Sequence, residues 1–322
     1  MKAVVVEQYG GPESMVIRDV PKPEPGPTDV IVKVVASGVN FIDVYFRTGL
    51  YKMPTPVALG SEAAGIVDTV GADVTDFSPG DRVVYAMLRG SYAEYAKVPA
   101  AQLVAIPDGV SFEQAAAVML QGMTAHYLTR STYALASGDT CLVHAAAGGT
   151  GALIVQMAKT VGASVIGTVS TPEKAAIATA AGADHIVYYT EQDFAVEAKR
   201  LTGGRGVDVV YDGVGKTTFD KSLDSLRPRG MMVLFGASSG AVPPFDPAVL
   251  NPKGSLFLTR PSLGHYVADR RELVWRAGDV LDMVGKGTLR VKIDAAFPLD
   301  RVADAHRVLE GRQTTGKLII TL

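Results

Sequence analysis

From residue 140 onward, short continuous apolar runs alternate with segments of helical composition. The runs TCLVHA (140–145), SVIGTV (164–169), DHIVYY (184–189), VDVVYD (207–212) and MMVLFG (231–236) have the texture of strands buried on both faces. Between and after them, 151–161, 172–181, 193–201 and 217–226 are long enough to be crossover helices, and 256–258 would be a sixth strand. This alternation predicts a doubly wound parallel sheet of the Rossmann type. The first part of the chain reads differently. Short β-rich runs at 2–7, 15–20, 29–36, 64–70 and 82–86 are punctuated by Gly and Pro, and 21–27, with four prolines, is a connecting turn. Ala-rich helical spacing then runs from Ser111 to Leu128. The tail carries a helical stretch at 271–285, a strand, a short helix and a last strand at 317–322, which returns it to the first domain. The predicted fold class is α/β: a Rossmann sheet plus a discontinuous, mostly β domain closed by both chain ends.

Composition supports that picture and removes several functions. A chain of 322 residues is long for one core and suits two domains. It is 48% hydrophobic and 20% charged, as globular proteins are, and no apolar run reaches the ~18–20 residues that span a bilayer. No secretory signal pattern precedes the first strand-like run, so a cytoplasmic location is expected. With 31 Lys plus Arg against 33 Asp plus Glu, the net charge of -2 gives no broad footprint for nucleic acid. The single cysteine, Cys141, lies in an apolar run and reads as core packing. The five histidines, at 126, 144, 185, 265 and 306, show no i, i+4 pair, and no metal site is expected.

Candidate chemistry begins at the turn after the first Rossmann strand, AAAGGTG at 145–151. Gly148, Gly149, Thr150 and Gly151 follow a predicted strand and open a predicted helix, where small residues let the backbone approach a pyrophosphate. At the end of the second strand, where an acid would bind the ribose 2'-hydroxyl of NAD, the chain has Ser170, followed by Thr171 and Lys174. A missing carboxylate and a lysine able to pair with a 2'-phosphate favour NADPH.

At this point the motifs GVNFID (38–43), LGSEAAGIV (59–67), GDRV (80–83), HAAAGGTG (144–151) and TRPSL (259–263), spread over the whole chain in order, resemble the zeta-crystallin-like quinone oxidoreductases of the medium-chain dehydrogenase/reductase superfamily. The resemblance implies a GroES-like catalytic domain (1–126 and 262–322) and an NADPH-binding Rossmann domain (127–261). Zinc alcohol dehydrogenases of that superfamily hold their metal where this chain has Asn40, Ser61 and Leu120, none a normal zinc ligand. Without a Lewis acid, an already electrophilic acceptor is the natural substrate, and a quinone suits the constraint. The resemblance places Asn40, Tyr45, Tyr51 and Gln121 at the reacting centre. It assigns Phe41, Ile42 and Tyr45 to the nicotinamide wall and Thr124 to the ribose or carboxamide end. Tyr189 would lie beside the 2'-phosphate, with Phe235, Gly236 and Ser238 at the end of the fifth strand and Leu263 and Arg312 completing the set. It also implies a homodimer through the edge of the Rossmann sheet. An NADPH-dependent enone or enal reductase, and a non-catalytic NADPH-binding protein like the lens crystallins, are the alternative readings.

Overall fold

A computed structural model describes residues 1–311 and 314–322, so the contact assigned to Arg312 lies outside the described residues. The chain forms two compact units, Met1–Met123 with Val267–Leu322, and Thr124–Tyr266.

The first unit holds β1 (Lys2–Val6), β2 (Met15–Asp19), β3 (Asp29–Gly38), α1 (Phe41–Thr48), β4 (Val57–Ala58), β5 (Glu62–Val70), β6 (Arg82–Ala86), β7 (Tyr95–Pro99) and β8 (Val104–Ala105). Helix α2 (Phe112–Tyr127) then carries the chain into the second unit. The ten-residue β3 organises the larger sheet. It pairs along its length with β5 on one side, while β7 takes the first half of its other edge. Val30, Val32 and Val34 of β3 share a core with Ala63, Val67, Val83 and Leu103 on one face of the sheet, while Ile31 on the other face is buried as well. A three-stranded sheet, β2-β1-β4, stands apart from it.

The second unit is built from β9 (Thr140–Val143), α3 (Gly149–Thr160), β10 (Ser164–Val169), α4 (Pro172–Ala180), β11 (His185–Tyr188), α5 (Phe194–Leu201), β12 (Val207–Asp212), α6 (Phe219–Ser225), β13 (Leu226–Leu234), β14 (Phe257–Thr259) and α7 (Leu263–Tyr266). Its six strands are all parallel and ordered β11-β10-β9-β12-β13-β14, the doubly wound order that puts a switch point between β9 and β12. Leu142, Ile166, Val210, Phe219, Leu223 and Met232 fill the core on one face of this sheet. The α/β class and the Rossmann sheet read from the sequence are thus borne out. The chain finishes in the first unit with α8 (Arg270–Gly285), β15 (Ile293–Pro298), α9 (Val302–Glu310) and β16 (Lys317–Thr321), and β16 joins β3 antiparallel at the edge that β7 leaves open.

Three departures from the sequence reading have physical causes. Helix α1 is one, since its aromatic and β-branched residues read as motif rather than helix. A second is the late start of α6, at Phe219 rather than 217. The Asp212 carboxylate accepts the N–H groups of Val214 and Gly215 at 2.7 and 2.9 Å and the Thr218 hydroxyl at 2.7 Å, which holds those residues in a turn. The third is β13, which begins at Leu226 rather than 231 and runs through Pro228 and a left-handed Arg229 (φ 58°). Among the described residues no helix is long and apolar enough to cross a membrane.

Helix α8 yields a direct stability prediction. Gly278 lies in its interior, exposed, with no atom within 4 Å of where a Cβ would stand. Gly278→Ala is expected to raise stability by about 0.5–1 kcal/mol, because alanine loses less backbone entropy in a helix. Thermal unfolding of the two proteins side by side checks this, and a lower midpoint for the variant contradicts it.

Candidate active site

The turn between β9 and α3 is shaped for an anion. Ala145 is left-handed (φ 48°), and its carbonyl accepts the Gly148 N–H at 2.8 Å. Gly148 caps α3 in extended conformation without any side-chain cap. The first intrahelical bond runs from the Ala152 N–H to the Gly148 carbonyl, so among the described residues the N–H groups of Gly149, Thr150 and Gly151 have no protein acceptor. A Cβ on Gly151 would lie 2.2 Å from the Ala145 carbonyl oxygen, so helix and turn approach this closely only because residue 151 has no side chain. Three unclaimed donors at the positive end of a helix, with backbone bare enough for close approach, fit a dinucleotide pyrophosphate.

Behind the turn stands a buried polar chain. Ser222 donates to Asp212 Oδ2 at 3.1 Å, so its oxygen accepts from His144 Nε2 at 2.9 Å, and His144 Nδ1 accepts from the Thr168 hydroxyl at 3.0 Å. Burial lowers the pKa of this histidine, which agrees with a neutral ring holding β9, β10 and α6 together. At the carboxyl ends of β12 and β13, the N–H groups of Phe235 and Gly236 bond to the Asp212 carbonyl at 2.8 and 3.3 Å, and that of Ser238 to the Gly213 carbonyl at 3.2 Å. A Cβ on Gly236 would stand 2.5 Å from the Gly213 oxygen, so these two loops also meet through bare backbone.

The end of β10 carries the residues read as cofactor-selective. Ser170 is half-buried, and Thr171 is the N-cap of α4, its hydroxyl accepting the Lys174 N–H at 3.3 Å. The lysine side chain thus leaves from the first turn of the helix. Glu173, the acid of that turn, is held below its ordinary pKa by its own backbone N–H and the Thr171 hydroxyl. Tyr189, 46% exposed, follows β11, its N–H bonded to the Val169 carbonyl at 3.1 Å. Thr124 and Leu263, also in this unit, are buried.

The other unit gathers Asn40, Phe41, Ile42, Tyr45, Tyr51 and Gln121. Tyr45 meets Tyr51 edge to face at 5.2 Å, Tyr51 meets Phe46 at 5.8 Å, and Phe41 lies 6.4 Å from Tyr45, which makes an aromatic cluster on and after α1. Asn40 caps α1 by position, but its side chain is turned to other partners. Its Nδ2 donates to Glu62 Oε1 at 2.7 Å, while its Oδ1 accepts from Lys317 Nζ at 2.6 Å and from Gln121 Nε2 at 3.3 Å. Lys317 also reaches Glu62 Oε1 at 2.6 Å, and Glu62 Oε2 accepts the Leu120 N–H at 2.6 Å. Asn40, Glu62 and Lys317 are each at most 3% exposed. Asn40, Ser61 and Leu120, the positions that the sequence resemblance matches to zinc ligands, therefore converge on two carboxylates, Glu62 and Asp43.

Asp43 anchors a second chain. Its Oδ1 accepts the Ser61 hydroxyl at 2.5 Å, and its Oδ2 accepts the Asn40 N–H at 3.0 Å and the Tyr92 hydroxyl at 3.1 Å. Burial pushes its pKa up to about 6 despite those donors. Arg47 Nη1 stands 3.0 Å from His306 Nδ1, and since arginine only donates, Nε2 carries the ring proton and donates to Tyr92 at 3.3 Å. Arg47 itself is buried and pairs through both nitrogens with Glu310 at 2.8 and 2.9 Å. Burial and then the Arg47 charge drive His306 down to about 3, below its ordinary 6.5. A depressed folded value means that the unfolded chain binds the extra proton, so this stability is complete above pH 6.5 and is lost as pH falls toward 3. Between pH 7 and 5 the loss from His306 comes to about 2 kcal/mol. His306→Gln is expected to soften the acid sensitivity of unfolding by about that amount, measured by denaturant titration at both pH values. An unchanged difference would mean that His306 is not neutral in the folded protein.

Sequence reasoning missed Asp43, Glu62, Tyr92, His306, Arg47 and Lys317. Asp43 and Glu62 stand inside two of the motifs quoted above, Asp43 three residues from Asn40 and Glu62 next to Ser61. That placement was the available signal.

A Rossmann unit with a bare, uncapped turn and, in the same chain, a mostly β unit with a buried polar cluster define a nucleotide-dependent oxidoreductase of the medium-chain class. Residues 26–108 match the alcohol dehydrogenase GroES-like domain family, and residues 149–275 the zinc-binding dehydrogenase family. The chain is 46% identical to a quinone oxidoreductase of Pseudomonas aeruginosa over 99% of both chains. It is 43% identical to a 2-haloacrylate reductase of a Burkholderia species, over 99% of this chain and 98% of the other. The crystal structure of the Escherichia coli quinone oxidoreductase complexed with NADPH superposes over 100% of both chains with a TM-score of 0.98, at 42% identity. The chain belongs to the quinone oxidoreductases, the zinc-free branch of the medium-chain dehydrogenases/reductases.

Proposed function

We propose that this protein catalyses zinc-independent transfer of hydride from NADPH to a small quinone. The observation that carries the reading is the uncapped first turn of α3, open to a pyrophosphate, in a chain similar throughout to quinone oxidoreductases, one of them solved with NADPH. Gly148, Gly149, Thr150 and Gly151 would hold the pyrophosphate, and Ser170, Thr171, Lys174 and Tyr189 the adenosine 2'-phosphate. When bound, NADPH supplies the hydride. The chain binds and orients. Hydride addition to a quinone leaves an aromatic quinolate whose charge is delocalised, and one proton from solvent completes the hydroquinone, so hydrogen bonds suffice where an alcohol dehydrogenase needs a metal. Asn40 and Gln121 supply polar groups at that centre, and the Tyr45 and Tyr51 cluster offers an aromatic wall for a flat acceptor. The unit Met1–Met123 with Val267–Leu322 would be the catalytic domain, and Thr124–Tyr266 the NADPH-binding domain.

The β14 edge supports a homodimer. Phe257 is 56% exposed on a strand paired only with β13 among the described residues, and pairing with a second copy would cover it. A cytoplasmic location fits such an enzyme.

The 2-haloacrylate reductase relative favours one second reading, reduction of an activated alkene. NADPH oxidation by chelator-treated protein, with 1,4-benzoquinone, a naphthoquinone and an α,β-unsaturated aldehyde as acceptors, decides between them. Benzoquinone turnover with NADPH preferred over NADH is the expected result. Turnover with the enal alone moves the protein to the alkene reductases, and tight NADPH binding without turnover leaves a binding role.

A further inference from the structure

We propose that Lys317 is a positioning residue for this reaction: by holding Glu62 and the Asn40 carbonyl together, it fixes which way round the amides of Asn40 and Gln121 face. The proposal rests on the reading above that these two amides stand at the reacting centre.

Donor and acceptor identity fixes the arrangement. A primary amide has two ends of nearly equal size and opposite hydrogen-bonding character, so its orientation is set by its partners alone. Lys317 can only donate and an ionised Glu62 can only accept. With Nζ 2.6 Å from both Asn40 Oδ1 and Glu62 Oε1, and Asn40 Nδ2 2.7 Å from the same Glu62 oxygen, the three groups close a ring that admits one orientation of Asn40. The Asn40 oxygen, held outward from the carboxylate, then accepts from Gln121 Nε2 at 3.3 Å, so the Gln121 amide is oriented in turn. The consequence is visible at its other end, because Gln121 Oε1 is buried with no hydrogen-bond partner among the described residues. Among the described residues the Asn40 oxygen is the hydrogen-bond partner that holds the Gln121 amide, so its orientation follows from the ion pair through Asn40. The pair is also internally neutral, so it orients the amides without adding net charge beside a developing quinolate. Lys317 opens β16, Glu62 opens β5 and Asn40 lies between β3 and α1, so three separate elements are locked at the one point that sets the amides.

The test uses the full chain, with Lys317→Met, Lys317→Arg and the double variant Lys317→Met/Glu62→Gln. Lys317→Met alone strands a buried carboxylate and is expected to fold poorly, so the double variant, which removes both charges, carries the test. Its glutamine at 62 can donate or accept, which restores the ambiguity. The sequence has two asparagines, Asn40 and the exposed Asn251, so protein labelled with 15N-asparagine shows one buried and one exposed side-chain amide. In the wild type the Asn40 amide protons should be well separated and slow to exchange with solvent. In the double variant we expect the Asn40 signals to move and lose protection, NADPH affinity to stay within roughly three-fold, and kcat with 1,4-benzoquinone to fall about ten-fold or more. Lys317→Arg should keep both the signals and most of the turnover. A folded double variant with unchanged Asn40 signals and wild-type kcat overturns the proposal. If the wild type does not reduce benzoquinone at all, the functional reading fails, and the Asn40 signals of the double variant still decide whether Lys317 orients the amide.

Discussion

Gly151→Ala is expected to weaken NADPH binding by about 10- to 100-fold while the protein remains folded. The added Cβ would lie 2.2 Å from the Ala145 oxygen, 2.9 Å from its carbonyl carbon and 3.1 Å from the Ala146 Cα, all backbone atoms that cannot rotate aside. Either the turn lifts off the helix or the first turn of α3 tilts, and both movements spread the three N–H groups that are to converge on one anion. Overpacking of this kind costs about 1–3 kcal/mol, and the factor in affinity follows at about 1.4 kcal/mol per decade. Isothermal titration with NADPH measures the loss directly. A second readout is the ligand-induced rise in unfolding midpoint, which should shrink for the variant at fixed NADPH, because stabilisation depends on the ratio of ligand to Kd. Gly278→Ala, a substitution of the same type into open space, should leave NADPH affinity unchanged. Wild-type affinity in Gly151→Ala would remove the pyrophosphate from this turn.

The second large effect concerns the choice of nucleotide. Lys174→Ala should weaken NADPH by about 10- to 100-fold, the range of a charged hydrogen bond to a phosphate, and leave NADH within about two-fold. Only NADPH has a 2'-phosphate to lose. The lysine emerges from the first turn of α4, next to the Thr171 cap and on the strand end where an acid would select NAD. Because Glu173 of the same turn is an ionised carboxylate, removing the lysine leaves a negative group as the charge of that turn, which sharpens discrimination against the phosphate. The loss should shrink in high salt, since the contact is partly exposed. Parallel titrations with NADPH and NADH at two ionic strengths separate the cases. An equal loss for both nucleotides would make Lys174 a helix surface charge with no part in selection.

How much of this could be read from the chain depends on how local the cause is. The strands β9, β10 and β12 were legible because burial on both faces forces consecutive apolar residues, and that signature lies within six positions. The glycine-rich turn between β9 and α3 was legible for the same reason, since small residues, strand and helix are neighbours in sequence. The two-residue strands β4 and β8 were not, because two residues carry no period. Strand β13 was read short because Pro228 and the left-handed Arg229 look like a turn, while pairing with β12 and β14 draws the segment into the sheet regardless.

The chain by itself therefore determined the doubly wound sheet, the glycine-rich turn that opens α3, the absence of an acid at the end of β10 and the presence of Asn, Ser and Leu, none a normal zinc ligand, at 40, 61 and 120. Tertiary structure alone decided which groups surround those three residues. Lys317 meets Glu62 across 255 positions and Asn40 across 277, and Arg47 meets His306 across 259. A buried charge is tolerable only when an opposite charge and directed hydrogen bonds stand within about 3 Å. No local pattern announces such a partner, because it is the pairing of β16 with β3 at the far end of the chain that brings it there.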